Sequence, residues 1–254
     1  MFNYCSKKEK MSIFLVNILL VATIICGGLL VVTVKKAKND VLIKLLLAFS
    51  GGFLLSIAFI HFIPELYEHT SINIGAFILI GFLIQLLLEF FSGGIEHGHV
   101  HVHQGAKLPF GLIIALGIHS FIEGIPLGSQ LAGVEIATTA HHGNDSSLLL
   151  GILFHRMPVG IALMTLLITT NISIKKAWFV LIAFSLTTSV GLLLGMYSGL
   201  VVADFDFNII LAIVVGMFLH ISTTIIFETS ENHKFNFVKL LTIIIGCGLA
   251  FFMH

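Results

Sequence analysis

Four ionisable residues stand where apolar runs should have none: His119 and Glu123 in one run, His155 and Arg156 in the next. An ionisable side chain near the centre of a bilayer costs about 2.5 to 3.5 kcal/mol on insertion scales, so it persists only with a partner or a task. His119 and Glu123 are four positions apart, which puts them on one helical face, one turn separated, with Ser120 beside them. That is the spacing of two ligands to one ion. With His155 the set mixes imidazole nitrogen and carboxylate oxygen, which suits Zn²⁺ and also accommodates Fe²⁺, Mn²⁺, Co²⁺, Ni²⁺ or Cd²⁺. Mg²⁺ or Ca²⁺ would want more oxygens. Helix packing alone would explain a single histidine in a span, whereas three candidate ligands in adjacent spans point to a site.

The elements that must hold these groups are disturbed near them. Pro126 removes a backbone hydrogen bond to the Ile122 region, and Pro158 does the same for Phe154, one residue before His155. Two proline-disturbed helices with polar residues at matching depth suggest a binding site at the midplane. Gly124 clears space beside the pair.

The chain around them is 57% hydrophobic and only 10% charged over 254 residues, against about 25% charged in soluble domains. It is expected to be an all-α, polytopic integral membrane protein. Eight apolar runs, at about 11–34, 42–66, 72–91, 109–131, 147–170, 176–201, 207–228 and 236–253, are each long enough to cross a bilayer. Residues 1–254 then form a single transmembrane domain, with a histidine-rich loop at about 92–108 and no room for a soluble domain. The first run is too long for a signal-peptide core and reads as a retained helix.

Thirteen basic and thirteen acidic residues cancel, so no global field draws nucleic acid. The distribution is uneven, however. Lys35, Lys36, Lys38, Lys44, Lys107, Lys175, Lys176, Lys234 and Lys239 fall on one alternate set of loops. Glu65, Glu68, Glu135, Asp145, Asp204 and Asp206 fall on the other. By the positive-inside rule both termini lie outside, although Lys7, Lys8 and Lys10 argue the other way; the expected location is a cell membrane, plasma or inner. Cys5, Cys26 and Cys247 have no paired spacing and read as small packing residues.

The runs carrying His119-Ser-Phe-Ile-Glu-Gly and His155-Arg-Met-Pro-Val-Gly resemble the fourth and fifth helices of the ZIP (Zrt/Irt-like) metal transporters. The second run, from Ala48 through His61 to Pro64-Glu65, is similar to that family's glycine-rich second helix. Ser185 to Gly195 and Gly216 to His220 resemble its sixth and seventh. The resemblance implies eight helices, with an inverted repeat of helices 1–3 and 6–8 around helices 4 and 5. Gly52-Phe-Leu-Leu-Ser and Gly216-Met-Phe-Leu-His are a faint internal echo of such a repeat.

The family's usual site holds two metals, and here its pattern is altered. His119 and Glu123 match family ligands, Ser120 stands for the usual Asn, and His155 occupies an allowed ligand position. Arg156 sits where an acidic ligand is common, Val159 where Glu or His is usual, and Thr188 where a carboxylate is frequent. The resemblance therefore implies one surviving metal site. Arg156 is always ionised and needs an anion, for which Glu123 is the nearest candidate. It either stands in for the charge of the second metal or competes with metal for Glu123; the residues admit both.

The tract Glu96, His97, His99, His101 and His103 alternates, suiting loose metal binding in the cytoplasmic loop. His141 and His142 with Glu135 and Asp145 could collect metal at the outer face. His61, Glu65 and His220 are pathway candidates. The expected function is import of a divalent transition metal, Zn²⁺ first, as transported substrate, with a non-transporting metal-binding or sensor protein as the alternative. No enzyme is expected: the chain has no HExxH and no nucleophile or base beside the ligands. An organic-anion carrier using Arg156 would leave both histidines unexplained. The expected partners are the metal ion and the lipid bilayer, with a homodimer allowed.

Overall fold

The computed structural model of the chain describes residues 12–33, 40–70, 73–92, 110–134, 136–137, 147–170, 172–202, 205–228 and 237–252. The histidine tract from Glu96 to His103, the outer candidates Glu135, His141, His142 and Asp145, and the lysines at 7, 8, 10, 35, 36, 38, 107 and 234 lie outside the described residues.

Among the described residues the regular structure is helical. The elements are α1 (Ile13–Thr33), α2 (Asp40–Ile57), α3 (Ile63–His69), α4 (Ile74–Ser92), α5 (Phe110–Ala132), α6 (Ser147–Thr169), α7 (Ile174–Val201), α8 (Asn208–Glu228) and α9 (Phe237–Phe252). Helices α2 and α3 form one rod, joined by a π-helical turn over Ala58–Phe62, so the described residues make eight helical rods. Seven are long and apolar enough to span a membrane, and α9 is a shorter apolar helix of 16 residues. The all-α, polytopic membrane fold read from the sequence is what the chain adopts.

The π turn is a local feature that the hydropathy pattern does not disclose. Pro64 has no N–H to give the carbonyl of Ile60. Just ahead of it the helix widens, and the Ile63 N–H closes onto Ala58 O, five residues back.

Three rods sit at the centre: 72% of the most apolar stretch of α6 is buried, against 22% for α4, and the α2–α3 rod and α8 are buried like α6. The outward faces carry large apolar side chains such as Phe14, Phe90, Phe179, Phe227 and Phe252, as lipid contact requires. The closest helix pairs are α1 with α6, α5 with α7, α2 with α9, and α4 with α8. Along α2 and α9 the contacts advance in step. Ser56 Oγ donates to Cys247 O at 3.0 Å, and His61 Nε2 lies 3.2 Å from Ala250 O. The two helices therefore run in the same direction, as spans two and eight of a membrane bundle must.

Glycines set these approaches. A Cβ on Gly27 would lie 2.7 Å from Met157 O on α6, and one on Gly160 would lie 2.8 Å from Ile24 O on α1. In the α5–α7 pair, Gly124 and Gly128 abut the carbonyls of Thr188 and Leu192, and Gly191 and Gly195 abut those of Phe121 and Ile125. Small residues four apart on both helices let the backbones touch, the usual basis of helix association where lipid removes the hydrophobic drive. This crossing matters for the site, because it carries Thr188 to Glu123.

Lys44, Lys175, Lys176 and Lys239 begin α2, α7 and α9, at one end of the bundle, while Glu65, Glu68 and Asp206 lie at the other. Lys239 is buried, and its Nζ donates to Ile226 O at 2.9 Å, capping the C-terminal turn of α8.

Candidate metal centre

His119 and Glu123 lie near the middle of α5, His155 and Arg156 near the middle of α6, and all four are at most 3% exposed. The fold thus brings the four residues together. Glu123 is held at one oxygen and turns the other toward an imidazole. Arg156 Nη1 donates to Oε1 at 2.9 Å, and Thr188 Oγ1 donates to the same oxygen at 3.3 Å. Its Oε2 faces His119 Nε2 at 3.4 Å. The rings of His119 and His155 meet edge to face, with centroids 5.8 Å apart.

Arg156 is further fixed to α7, where Nη1 contacts Thr188 Oγ1 and Nη2 donates to Ser185 O at 3.2 Å. It is the one arginine of the chain. A guanidinium in this setting is a permanent charge whose planar fork matches a carboxylate and a carbonyl. With Glu123 it forms a buried pair, neutral in sum.

Among the described residues, no three His, Cys, Asp or Glu side chains are gathered closely enough to hold an ion. The geometry supplies a reason: the carboxylate that would complete a set with the two imidazoles has one oxygen drawn toward Arg156. An ion would have to meet His119 Nε2, Glu123 Oε2 and His155 on the face away from the guanidinium. Ser120 is buried on the same helix.

The remaining candidates are spread along the bundle. His61 is buried in the π turn against the α9 backbone, and Glu65 is half-buried one turn further on. His220 is buried in α8, its ring against Phe82 at 4.8 Å and its Nδ1 3.3 Å from Glu89 Oε2.

Two polar residues of α4 were not singled out by the sequence reading: Glu89, and Gln85, whose Oε1 lies 2.9 Å from His119 Nδ1. Gln85 and Glu89 are four apart in an apolar run, the same signal that marked His119 and Glu123, so the pattern could have found them.

A bundle of apolar helices that buries imidazole, carboxylate and guanidinium at its middle defines a polytopic membrane protein with an intramembrane polar centre. A family model described as "ZIP Zinc transporter" matches residues 93–254, and the chain belongs to that family. It is also similar to Protein zntD of Dictyostelium discoideum, with 29% identity over 173 residues, covering 62% of this chain and 24% of that protein. The chain spans about a quarter of the length of this curated relative.

Proposed function

We propose that the protein carries a divalent transition metal, Zn²⁺ first, across the membrane into the cytoplasm through the centre formed by α5 and α6. The observation that carries this is the buried pair His119 and Glu123, facing each other at 3.4 Å beside His155, in a chain of the ZIP family. Imidazole nitrogen with carboxylate oxygen is a donor set for Zn²⁺ and its neighbours. His61 and Glu65 lie toward the acidic end and His220 with Glu89 toward the lysine end, as waypoints on either side of the centre would. The lysine end is the cytoplasmic one in this reading, which puts both termini outside, in the plasma or inner membrane.

The inverted repeat is part of the same reading. Exchanging spans one to three with six to eight, and four with five, turns the pair α1–α6 into α7–α5 and α2–α9 into α8–α4. The set of closest pairs is unchanged by that exchange, which supports the repeat. Gly52 and Gly216, the two ends of the sequence echo, each abut a partner backbone, at Ile243 and Ile78. An alternating-access carrier built of two such halves would rock around the central site.

A second reading, a metal-binding or sensor protein that does not transport, is favoured by the hold of Arg156 on Glu123. Uptake of radiolabelled Zn²⁺ into proteoliposomes separates the two. Saturable uptake establishes transport; binding without flux establishes the sensor; absence of both removes the metal reading.

A further inference from the structure

Gln85 has no exposed surface, although it lies in a membrane-spanning helix whose outward side is Leu83, Leu86, Leu87 and Phe90. Hydrocarbon offers an amide nothing to bond, so its head group must be satisfied within the protein. Its Oε1 lies 2.9 Å from His119 Nδ1. With the amide turned this way its oxygen accepts, which places the proton on Nδ1. In a neutral imidazole the other nitrogen is then a lone pair. That nitrogen is Nε2, which faces Glu123 Oε2 at 3.4 Å. In that tautomer Nε2 and Oε2 are two acceptors turned toward each other, an arrangement that a cation would complete.

Helix α4 is held so that Gln85 points inward. Gly81, one turn earlier, abuts the Ile213 carbonyl of α8, and Gly216 abuts Ile78 in return. These approaches set the Gly81 face of α4 against the α8 backbone. One turn later Glu89 faces His220 Nδ1 at 3.3 Å, so the same stripe of α4 meets histidines on two other helices.

We propose that Gln85 is a positioning residue of the central site: its amide oxygen fixes His119 as the Nδ1–H tautomer and presents Nε2 as the nitrogen that meets the metal. Outer partners of this kind lock the ring, raise ligand basicity and typically account for about 10- to 100-fold in metal affinity. The proposal rests on His119 being a metal ligand, but its statement about the tautomer holds for the metal-free protein and is tested there.

The experiment is nitrogen NMR of isotope-labelled histidine in the metal-free full chain in nanodiscs, with His119→Ala to assign the signal and thermal melting to monitor the fold. The wild type should show Nδ1–H at His119, and Gln85→Glu, which also accepts, should keep it. Gln85→Leu should move the proton toward Nε2, where Glu123 can accept it, and weaken Zn²⁺ binding about 10- to 100-fold in a competition assay. Nε2–H in the wild type would overturn the proposal even if the leucine variant did not fold. So would a folded Gln85→Leu protein with the wild-type tautomer, or with a shifted tautomer and unchanged Zn²⁺ affinity. If the tautomer shifts as expected but the wild type binds no Zn²⁺, the role of Gln85 stands and the metal reading alone fails.

Discussion

Arg156 Nη1 sits 2.9 Å from Glu123 Oε1, joining α6 to α5, and the same guanidinium continues to Thr188 and Ser185 on α7. One side chain thus ties three helices at the buried polar centre. The pair is 2% and 1% exposed, so neither charge has water to fall back on. A metal entering here meets a carboxylate that is already half engaged.

Replacing Arg156 should therefore have two opposite effects. Arg156→Ala leaves Glu123 buried without its cation, and removing one partner of such a pair costs about 3 to 5 kcal/mol. The metal-free protein should melt well below the wild type. Zn²⁺ should bind more tightly, because the guanidinium no longer repels a dication or draws on the carboxylate. Calorimetric melting with and without Zn²⁺ checks both; unchanged melting and affinity would mean that the guanidinium does not act on the site.

The metal set is tested by stoichiometry. In protein lacking the histidines at 97, 99, 101 and 103, the His119→Ala, Glu123→Ala double variant should lose its intramembrane metal. Elemental analysis of purified protein measures this, and full retention would remove the site from α5.

Restoring acidic character in α6 should rebuild a second position. Arg156→Asp with Val159→Glu is expected to raise the bound metal above the wild-type ratio, read by the same elemental analysis. Val159 is 6% exposed, in an apolar cluster with Ile24, Leu112 and Leu116, three residues after Arg156. An unchanged ratio would show that the second position needs groups from other helices as well.

Removing His97, His99, His101 and His103 together should change the concentration dependence of uptake without abolishing it. Histidines outside the apolar runs can gather metal without forming the path across the membrane. Proteoliposome uptake by the folded variant decides this, and complete loss of flux would contradict it.

The α5–α7 crossing makes a prediction about packing. A Cβ at Gly128 would collide with the Leu192 carbonyl, whereas one at Gly248 meets nothing within 4 Å. Gly128→Ala should cost about 1 to 3 kcal/mol by overpacking and disturb uptake by shifting Thr188 relative to Glu123. Gly248→Ala should be silent. Equal melting temperatures for the two variants would contradict the close approach.

The amino-acid sequence alone determined that the chain is a membrane bundle, where its spans lie, and that His119 and Glu123 share a helical face. Length and hydropathy fix crossings because hydrocarbon admits only about 20 apolar residues per helix. A charge in such a run is conspicuous because it is costly. The chain also displayed the glycines, but not their partners.

Which residues meet across helices was decided only by the tertiary structure. Gln85 meets His119 across 34 positions, Arg156 meets Glu123 across 33, and Thr188 meets Glu123 across 65. In a soluble protein an apolar stripe tells which face of a helix turns inward. In lipid both faces are apolar, so periodicity loses that information. What orients α4, α5 and α7 instead is backbone contact at Gly81, Gly124, Gly128, Gly191, Gly195 and Gly216. The π turn before Pro64, where the Ile63 N–H reaches back to Ala58 O, is local and follows from the proline. The helix orientations are settled by the fit of one backbone against another, which no single helix encodes by itself.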